Sequence, residues 1–192
     1  MIDVVFPDGN EKDFLETAEL LGLKGLVFVY NTGKDFFKGK SKLEVFNALL
    51  ADPRKPVREK ADFTLYKAGE HTRPAIERGF NVVFELEEVA KKDPMHYRAS
   101  GLNQVLCRLA AKKKVKVGFS FASVLRASGQ SRAQILGRMA QNIVFCRKFK
   151  VPTLIASFAR TPFELRNPSD LASFFTVLGM HPEEAKKALG LR

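Results

Sequence analysis

The sequence offers few side chains that could carry out chemistry. Its three histidines, His71, His96 and His181, lie far apart, and no two of them have metal-ligand spacing such as HxH or HExxH. The phosphate-binding patterns GxxxxGKS, GxxxxGKT and GxGxxG and the nucleophile pattern GxSxG are also absent from the sequence. We therefore expect no catalytic residue and no metal ligand, and we interpret the histidines as surface or hydrogen-bonding residues.

The carboxylates and thiols do not change this expectation. Asp3, Glu85 and Glu87 fall near the ends of predicted strands, but a lone carboxylate there usually fixes a loop, and nothing in the sequence completes an acid/base pair for any of them. Cys107 and Cys146 lie in the apolar segments VLCRLA and VFCRKF. Such segments favour reduced, packed thiols over a disulfide or a metal site.

The distribution of charge is the most informative feature. The chain of 192 residues has a formal net charge of +11, yet residues 1 to 97 contain 15 basic and 17 acidic side chains. Between Pro94 and Phe163 there are 13 Lys and Arg residues and no Asp or Glu. Positive charge of this density repels itself unless a polyanion neutralises it, so nucleic acid is the leading partner. An anionic membrane surface is the alternative, but no segment combines a basic face with a strong Phe/Leu face beyond what a core requires.

Several basic residues fall at positions suited to phosphate contacts. On a predicted helix, Gln104, Arg108 and Lys112 recur every four residues opposite a leucine face, so they project together into solvent. Arg126 and Arg132 flank the segment RASGQSR, whose small residues allow close backbone approach to phosphates. Arg160 or Arg166 could instead pair with Glu164. The candidate nucleic-acid contacts are Arg98, Arg108, Lys112, Lys114, Arg126, Arg132, Arg160 and Arg166.

These residues must be positioned by alternating strands and helices. Short apolar runs predict strands at 2–6, 25–31, 63–68, 81–87, 115–121 and 153–159. Helical spacing predicts helices at 11–22, 43–50, 74–78, 100–113, 131–148 and 169–178, and a last short one after Pro182. In the helix at 100–113, Ser100 is the expected cap, and Leu102, Val105, Leu106 and Leu109 are expected to face inward.

Continuous apolar strands separated by helices indicate parallel strands that are buried on both faces. Six or seven strands suit either an open doubly wound sheet or a closed barrel in a single domain covering residues 1–192. Eight strand–helix units would have about 24 residues each, fewer than the roughly 31 of a typical (β/α)₈ barrel, so a barrel has to be a trimmed one. The opening segment MIDVVFPDGNEKDF has no basic stretch followed by an apolar one, and we expect a cytoplasmic protein.

Two segments resemble a known family. HYRASGLNQVLCRLAAKKKVKVGFSF (96–121) and VPTLIASFARTPFELRNPSDLASFFTVLGMHPEEAKKAL (151–189) are similar to the ribonuclease P protein component 3 family, the archaeal relative of a eukaryotic thirty-kilodalton subunit. The second segment is the more specific. It carries the family's residues in order and spacing: Ser157, Ala159, Glu164, Arg166, Pro168, Asp170, Leu171, Gly179 and Ala185 to Leu189. The resemblance covers nearly the whole chain, with the first 60 residues matching mainly in strand order.

The resemblance implies a trimmed TIM barrel similar to metal-dependent PHP-type phosphoesterases. It also implies a non-catalytic subunit that stabilises ribonuclease P RNA, together with protein component 2 and other small proteins. The assembled particle is then the endoribonuclease that removes the 5′ leader from precursor tRNA. The chemistry, and the magnesium that we expect it to need, would belong to the RNA.

The sequence departs from the PHP pattern at one place. The paired histidines that PHP enzymes carry at the end of the first strand are missing, and Ile2, Asp3 and Val4 occupy that stretch. We therefore expect no inherited metal site. A stand-alone PHP-type metal-dependent phosphoesterase is the alternative function.

Overall fold

The computed structural model describes residues 1–191, in which seven parallel strands pair in chain order within one sheet. The strands are β1 Ile2–Val5, β2 Gly25–Tyr30, β3 Glu44–Leu50, β4 Phe63–Lys67, β5 Val82–Phe84, β6 Lys116–Ser120 and β7 Thr153–Ala156. The α-helices are α1 Glu11–Leu20, α2 Thr72–Glu77, α3 Gln104–Lys113, α4 Phe121–Arg126, α5 Gly129–Phe149, α6 Pro168–Val177 and α7 Pro182–Ala188. Within these 191 residues, no helix has the length and apolar character needed to cross a membrane.

The sheet curls until its first and last strands meet. Val5 forms a parallel bridge with Ala159, and the Phe6 N–H donates to the Ala159 carbonyl at 2.7 Å. The Ser157 N–H donates to Asp3 Oδ1, also at 2.7 Å. Seven strands thus form a nearly closed barrel surrounded by helices, which confirms the predicted trimmed TIM barrel and excludes an open sheet.

Five of the seven strands, β1, β2, β5, β6 and β7, are buried on both faces, whereas β3 and β4 are partly exposed. Alternate side chains such as Val4, Val27 and Leu65 fill the barrel interior, where the rings of Phe84 and Phe158 stack with centroids 4.7 Å apart. The other side chains pack outward against the helices, in a cluster that includes Phe14, Ile76, Met139 and Phe175. Burial on both faces explains why the strands read as continuous apolar runs.

One predicted helix is wrong. Residues 43–50 were expected to be helical, but Glu44–Leu50 forms β3 and pairs in parallel with both β2 and β4. Ala48 faces the barrel interior and Leu49 faces the helices, so side chains alternate with the two-residue period of a strand. Leu, Glu and Ala favour a helix in isolation, but backbone hydrogen bonds to two neighbouring strands outweigh this weak preference.

The barrel has two ends, which we call the strand-start face and the strand-end face. All strands begin at the first and end at the second, because all are parallel. The helix α3 ends at Lys113 just before β6 begins at Lys116, and α5 ends at Phe149 just before β7 begins at Thr153. The C-terminal ends of α3 and α5 therefore lie at the strand-start face.

Candidate nucleic-acid interface

The predicted contact residues divide between the two faces of the barrel. Arg126, Arg132 and Arg160 follow β6 or β7 and lie at the strand-end face. Arg166 lies further along the segment between β7 and α6, with its guanidinium 5.4 Å from the centroid of the Phe121 ring. Lys112 and Lys114 lie at the strand-start face, where α3 ends, and Arg108 lies one turn earlier on the same helix. Arg98 lies on the flank of the barrel, with its guanidinium over Gly137 of α5. The fold therefore does not bring the eight residues into one site.

Arg126 is held by an acidic side chain. Its Nε and Nη2 atoms donate to Oε1 and Oε2 of Glu164 at 2.8 and 2.6 Å, and these bonds raise the pKa of the guanidinium. The alternative role considered for Arg160 and Arg166, a side-chain pairing with Glu164, is absent from residues 1–191. Arg160 donates only its backbone N–H to Glu164, and Arg166 donates to backbone carbonyls. Arg126 and Glu164 are 38 residues apart in the sequence, and the parallel pairing of β6 with β7 brings the segments that carry them together.

Two other arginines among the predicted contact residues hold loops. Arg132 donates through Nε to the Ala127 carbonyl at 2.7 Å, just after α4. Arg166 donates through Nη1 to the carbonyls of Phe163 and Leu165 at 2.8 and 2.7 Å. Neither arginine forms an ion pair with a carboxylate among residues 1–191, but some of their N–H donors are already used in these hydrogen bonds. Arg160 is exposed and has no ion-pair partner among residues 1–191.

The residues at the end of α3 are more available. Arg108, Lys112 and Lys114 are exposed, and within the described chain none of them has an ion-pair partner. The Arg108 guanidinium lies 5.8 Å from the ring centroid of Phe149, and the Lys148 ammonium lies 5.7 Å from it. This places Lys148 and Arg108 on neighbouring helices over one aromatic ring, a combination that also suits contact with nucleic acid.

The sequence analysis did not single out three cations of this region, Lys148, Lys150 and Lys187. The stretch between Pro94 and Phe163, which has no Asp or Glu and which we call the acid-free stretch, contained a signal for Lys148 and Lys150, because both fall within it. Lys187 belongs to α7, and only the fold places it beside the end of α5. One prediction about α3 is wrong: Val105 was expected to face inward, but it is 55% exposed. The expected cap is also wrong, because Asn103, not Ser100, accepts from the helix backbone.

Arg138 also lies in the acid-free stretch, but it stabilises the fold and is not available to a ligand. It is 3% exposed, and its Nε donates to Oδ1 of Asp93 at 2.8 Å. Its Nη1 donates to the carbonyls of Glu87 and Ala90 at 2.8 and 2.7 Å. Asn142, one turn further along α5, donates to Glu87 Oε1 at 2.8 Å. Together these bonds hold the segment that follows β5 against α5.

The buried carboxylates are structural. Burial raises the pKa of Glu87 to about 7 and that of Asp3 to about 6, although each accepts hydrogen bonds that lower it in part. Glu85 pairs with Lys67, whose Nζ lies 2.7 Å from Oε2. In the described part of the chain, no three His, Cys, Asp or Glu side chains come together as potential metal ligands. The residues present therefore do not fit a PHP-type metal centre.

The fold and the charge of the surface together define the class of protein, which is a basic, parallel β/α barrel with exposed cations on its helices. The family model described as RNase P subunit p30 matches residues 92–191, which is slightly more than half of the chain. The chain belongs to this family.

Curated relatives agree with this assignment. The chain is 31% identical over 142 residues to ribonuclease P protein component 3 of Methanocaldococcus jannaschii, a match that covers 73% of this chain and 58% of the relative. It is 34% identical over 96 residues to the protein of the same name from Methanosarcina mazei, covering 50% of this chain and 40% of that one. The matches thus span about half the length of these relatives.

A solved structure agrees as well. A chain in a cryo-EM structure of archaeal ribonuclease P with mature tRNA superimposes with a TM-score of 0.79 at 25% identity. The superposition covers 98% of this chain and 86% of that one. The resemblance identified from the sequence is confirmed.

Proposed function

We propose that this chain is a non-catalytic protein subunit of ribonuclease P, which binds and stabilises the catalytic RNA for removal of the 5′ leader from precursor tRNA. The observation that carries the proposal is the superposition of nearly the whole chain on a chain of archaeal ribonuclease P with mature tRNA. The endoribonuclease activity belongs to the assembled particle. The RNA supplies the chemistry, with magnesium as its metal.

The exposed cations explain how such a subunit contributes without an active site. Lys and Arg side chains that contact phosphates release condensed counterions, which provides binding energy independent of sequence. Arg108 and Lys112 are held on a helix that packs against the barrel, so their spacing is fixed before RNA binds. A rigid row of cations reduces repulsion between RNA segments that fold close together.

The partners follow from the same assignment. They are ribonuclease P RNA, protein component 2 and the other small protein subunits, with precursor tRNA as the substrate of the particle. No membrane is involved, and the site of action is the cytoplasm. A single domain spanning residues 1–192 would act as one rigid body in this assembly.

The alternative, a stand-alone PHP-type phosphoesterase, has less support. Ile2, Asp3 and Val4 occupy the stretch where PHP enzymes carry paired histidines. Asp3 is fully buried at the seam between β1 and β7, where its Oδ1 accepts from the backbone of Val4 and Ser157. It therefore closes the barrel and is not available to a substrate.

The salt dependence of RNA binding tests the proposal. With the full chain and ribonuclease P RNA, log affinity should fall linearly with log salt by roughly 0.7 to 0.9 per phosphate contact. Four contacts would give a slope of about −3. A slope near zero, or no binding at low salt, would contradict the proposed function. Replacing Lys38 and Lys40, two exposed lysines within residues 1 to 97, where acidic side chains outnumber basic ones, should leave the slope unchanged.

A further inference from the structure

An aromatic groove lies on the flank of the barrel, between residues 141–149 of α5 and the segment 89–104, which leads into α3. We call it the flank groove, and its volume is about 580 Å³. Phe145 and Phe149, one turn apart on α5, line it together with Tyr97. Tyr97 is 66% exposed, and its ring stacks on no other aromatic ring of residues 1–191. The flank groove therefore presents an open aromatic surface.

The charge of the flank groove is positive. Arg98 and Lys148 line it, and both are exposed without an ion-pair partner in the part of the chain that the structure describes. Arg108 adds a third cation at its edge, with the guanidinium 5.8 Å from the centroid of the Phe149 ring. None of the residues that line the groove is Asp or Glu. This charge favours an anionic occupant.

The flank groove also offers polar groups that can bind the edge of a ligand. The amides of Asn103, Gln104 and Gln141 line it. Gln104 is exposed, and its side chain makes no hydrogen bond within residues 1–191, so its amide can both donate and accept. Ser100, another lining residue, is 1% exposed, and its hydroxyl has no hydrogen-bond partner. A buried hydroxyl without a partner costs free energy, which a polar ligand can offset.

Aromatic rings, side-chain amides and cations together match the chemistry of an unpaired nucleotide. A base stacks on an aromatic ring, amides bind its polar edge, and cations contact the phosphates beside it. Bases inside a duplex are stacked on each other and cannot enter such a groove. A volume of about 580 Å³ is within the usual range of small-molecule sites.

We propose that the flank groove binds an unpaired nucleotide of RNA, with its base stacked on Tyr97 and its phosphates at Arg98 and Lys148. The proposal rests on the proposed function and specifies the kind of RNA structure that the subunit recognises. It also gives a role to Arg98, which the fold separates from the cations at the two ends of the barrel.

The test replaces the exposed ring of Tyr97 in the full chain. Tyr97→Ala removes the ring and Tyr97→Phe keeps it. The matched control is Phe163→Ala, which removes an aromatic side chain that is 90% exposed outside the groove. The probes are a fluorescent single-stranded uridine oligonucleotide, the same strand without its bases, and an RNA duplex of the same length. Binding is measured by fluorescence anisotropy over a range of salt.

Tyr97→Ala should bind the uridine strand about 5- to 100-fold more weakly, the effect of losing one base–aromatic stack. Its salt slope should stay unchanged, because no charge is lost. Its affinity for the strand without bases and for the duplex should change less than about twofold, because neither presents an unstacked base. Tyr97→Phe and Phe163→Ala should bind all three probes as the unmodified chain does.

Lys148→Gln tests the phosphate contact separately. Lys148 is exposed and Gln favours a helix, so α5 should persist. The salt slope for the uridine strand should become shallower by about 0.7, which is about fivefold weaker binding at roughly 0.1 M salt. An unchanged slope would show that Lys148 contacts no phosphate and would overturn this part of the proposal.

Each other outcome contradicts a defined claim. If the unmodified chain binds none of the three probes, the proposed function fails together with this assignment. If it binds them but Tyr97→Ala weakens none, or weakens all three equally, only the groove assignment is wrong. Equal losses for Tyr97→Phe and Tyr97→Ala would overturn the stacking contact. A Tyr97→Ala chain that binds RNA normally but no longer joins the ribonuclease P particle would assign the groove to a protein partner, which also overturns the proposal.

Discussion

Glu87 makes the stability of the protein depend on pH, and Glu87→Gln should remove this dependence. The carboxyl group is 1% exposed, and its Oε1 accepts from Asn142, a bond that a Gln amide oxygen can also accept. Burial raises the pKa of Glu87 from 4.5 to about 7, and the bond from Asn142 lowers it only in part. The neutral acid is therefore the form that the folded protein favours.

The sign and size of the effect follow from this pKa. Between pH 4.5 and about 7 the folded chain holds a proton that the unfolded chain releases, so the free energy of unfolding falls as pH rises through this range. At roughly 1.36 kcal/mol per pKa unit, the loss is about 3 kcal/mol above pH 7. Gln has no proton to release, so the stability gained by Glu87→Gln should grow from near zero at pH 4.5 to about 3 kcal/mol at about pH 8.

Urea unfolding of both proteins at about pH 4.5, 6 and 8 measures this difference. In thermal unfolding, the same effect is a rise in Tm of about 6 to 12 °C at pH 8, since 1 kcal/mol corresponds to about 2 to 4 °C at this chain length. Glu88→Gln changes the exposed neighbour and should show no such trend. A gain that is equal at all three pH values, or a loss at pH 8, would refute the account of Glu87.

Three further predictions concern charge and packing. Replacing Arg108 and Lys112 together by Ala should make the salt slope of RNA binding shallower by about 1.4. The free energy of unfolding should change by at most about 1 kcal/mol, the value of the lost contact with Phe149. If Lys38→Ala with Lys40→Ala weakens RNA binding equally, the positive charge acts as a diffuse electrostatic field and not through a local site. Arg138→Met should lower the free energy of unfolding by about 3 to 5 kcal/mol in a urea titration, because it leaves Asp93 without its buried partner, whereas a loss below about 1 kcal/mol would contradict the structural role of Arg138. Gly118→Ala should cost about 1 to 3 kcal/mol, because the added Cβ would lie 2.9 Å from the Phe158 ring inside the barrel, and an unchanged Tm would show that the interior adjusts freely.

Local sequence patterns predicted the elements whose conformation depends least on contacts with distant parts of the chain. Six strands were predicted from short apolar runs, and five of these are buried on both faces. The inward face of α5 with Met139 and Ile143 follows helical spacing. The segment Glu44–Leu50 could not be assigned in this way. Its residues favour a helix, and only the hydrogen bonds to β2 and β4 make it a strand.

The same distinction applies to the candidate site. Arg108 and Lys112 are four residues apart on one helix, so their shared exposure could be predicted from spacing. The pairing of Arg126 with Glu164 joins distant parts of the chain, and so does the placement of Lys187 beside the end of α5. Contacts of this kind depend on which strands pair and on how the helices pack against them, which no local pattern encodes.

Cleavage of precursor tRNA with and without this chain tests the central claim most directly. The purified chain, free of RNA, should leave precursor tRNA intact in magnesium or manganese, because the sequence offers no nucleophile, base and metal ligands at workable spacing. A ribonuclease P particle assembled with the chain should release the 5′ leader faster than a particle assembled without it. Cleavage by the chain alone that is lost on replacing His71 or His96, or a particle whose rate does not depend on the chain, would contradict the account.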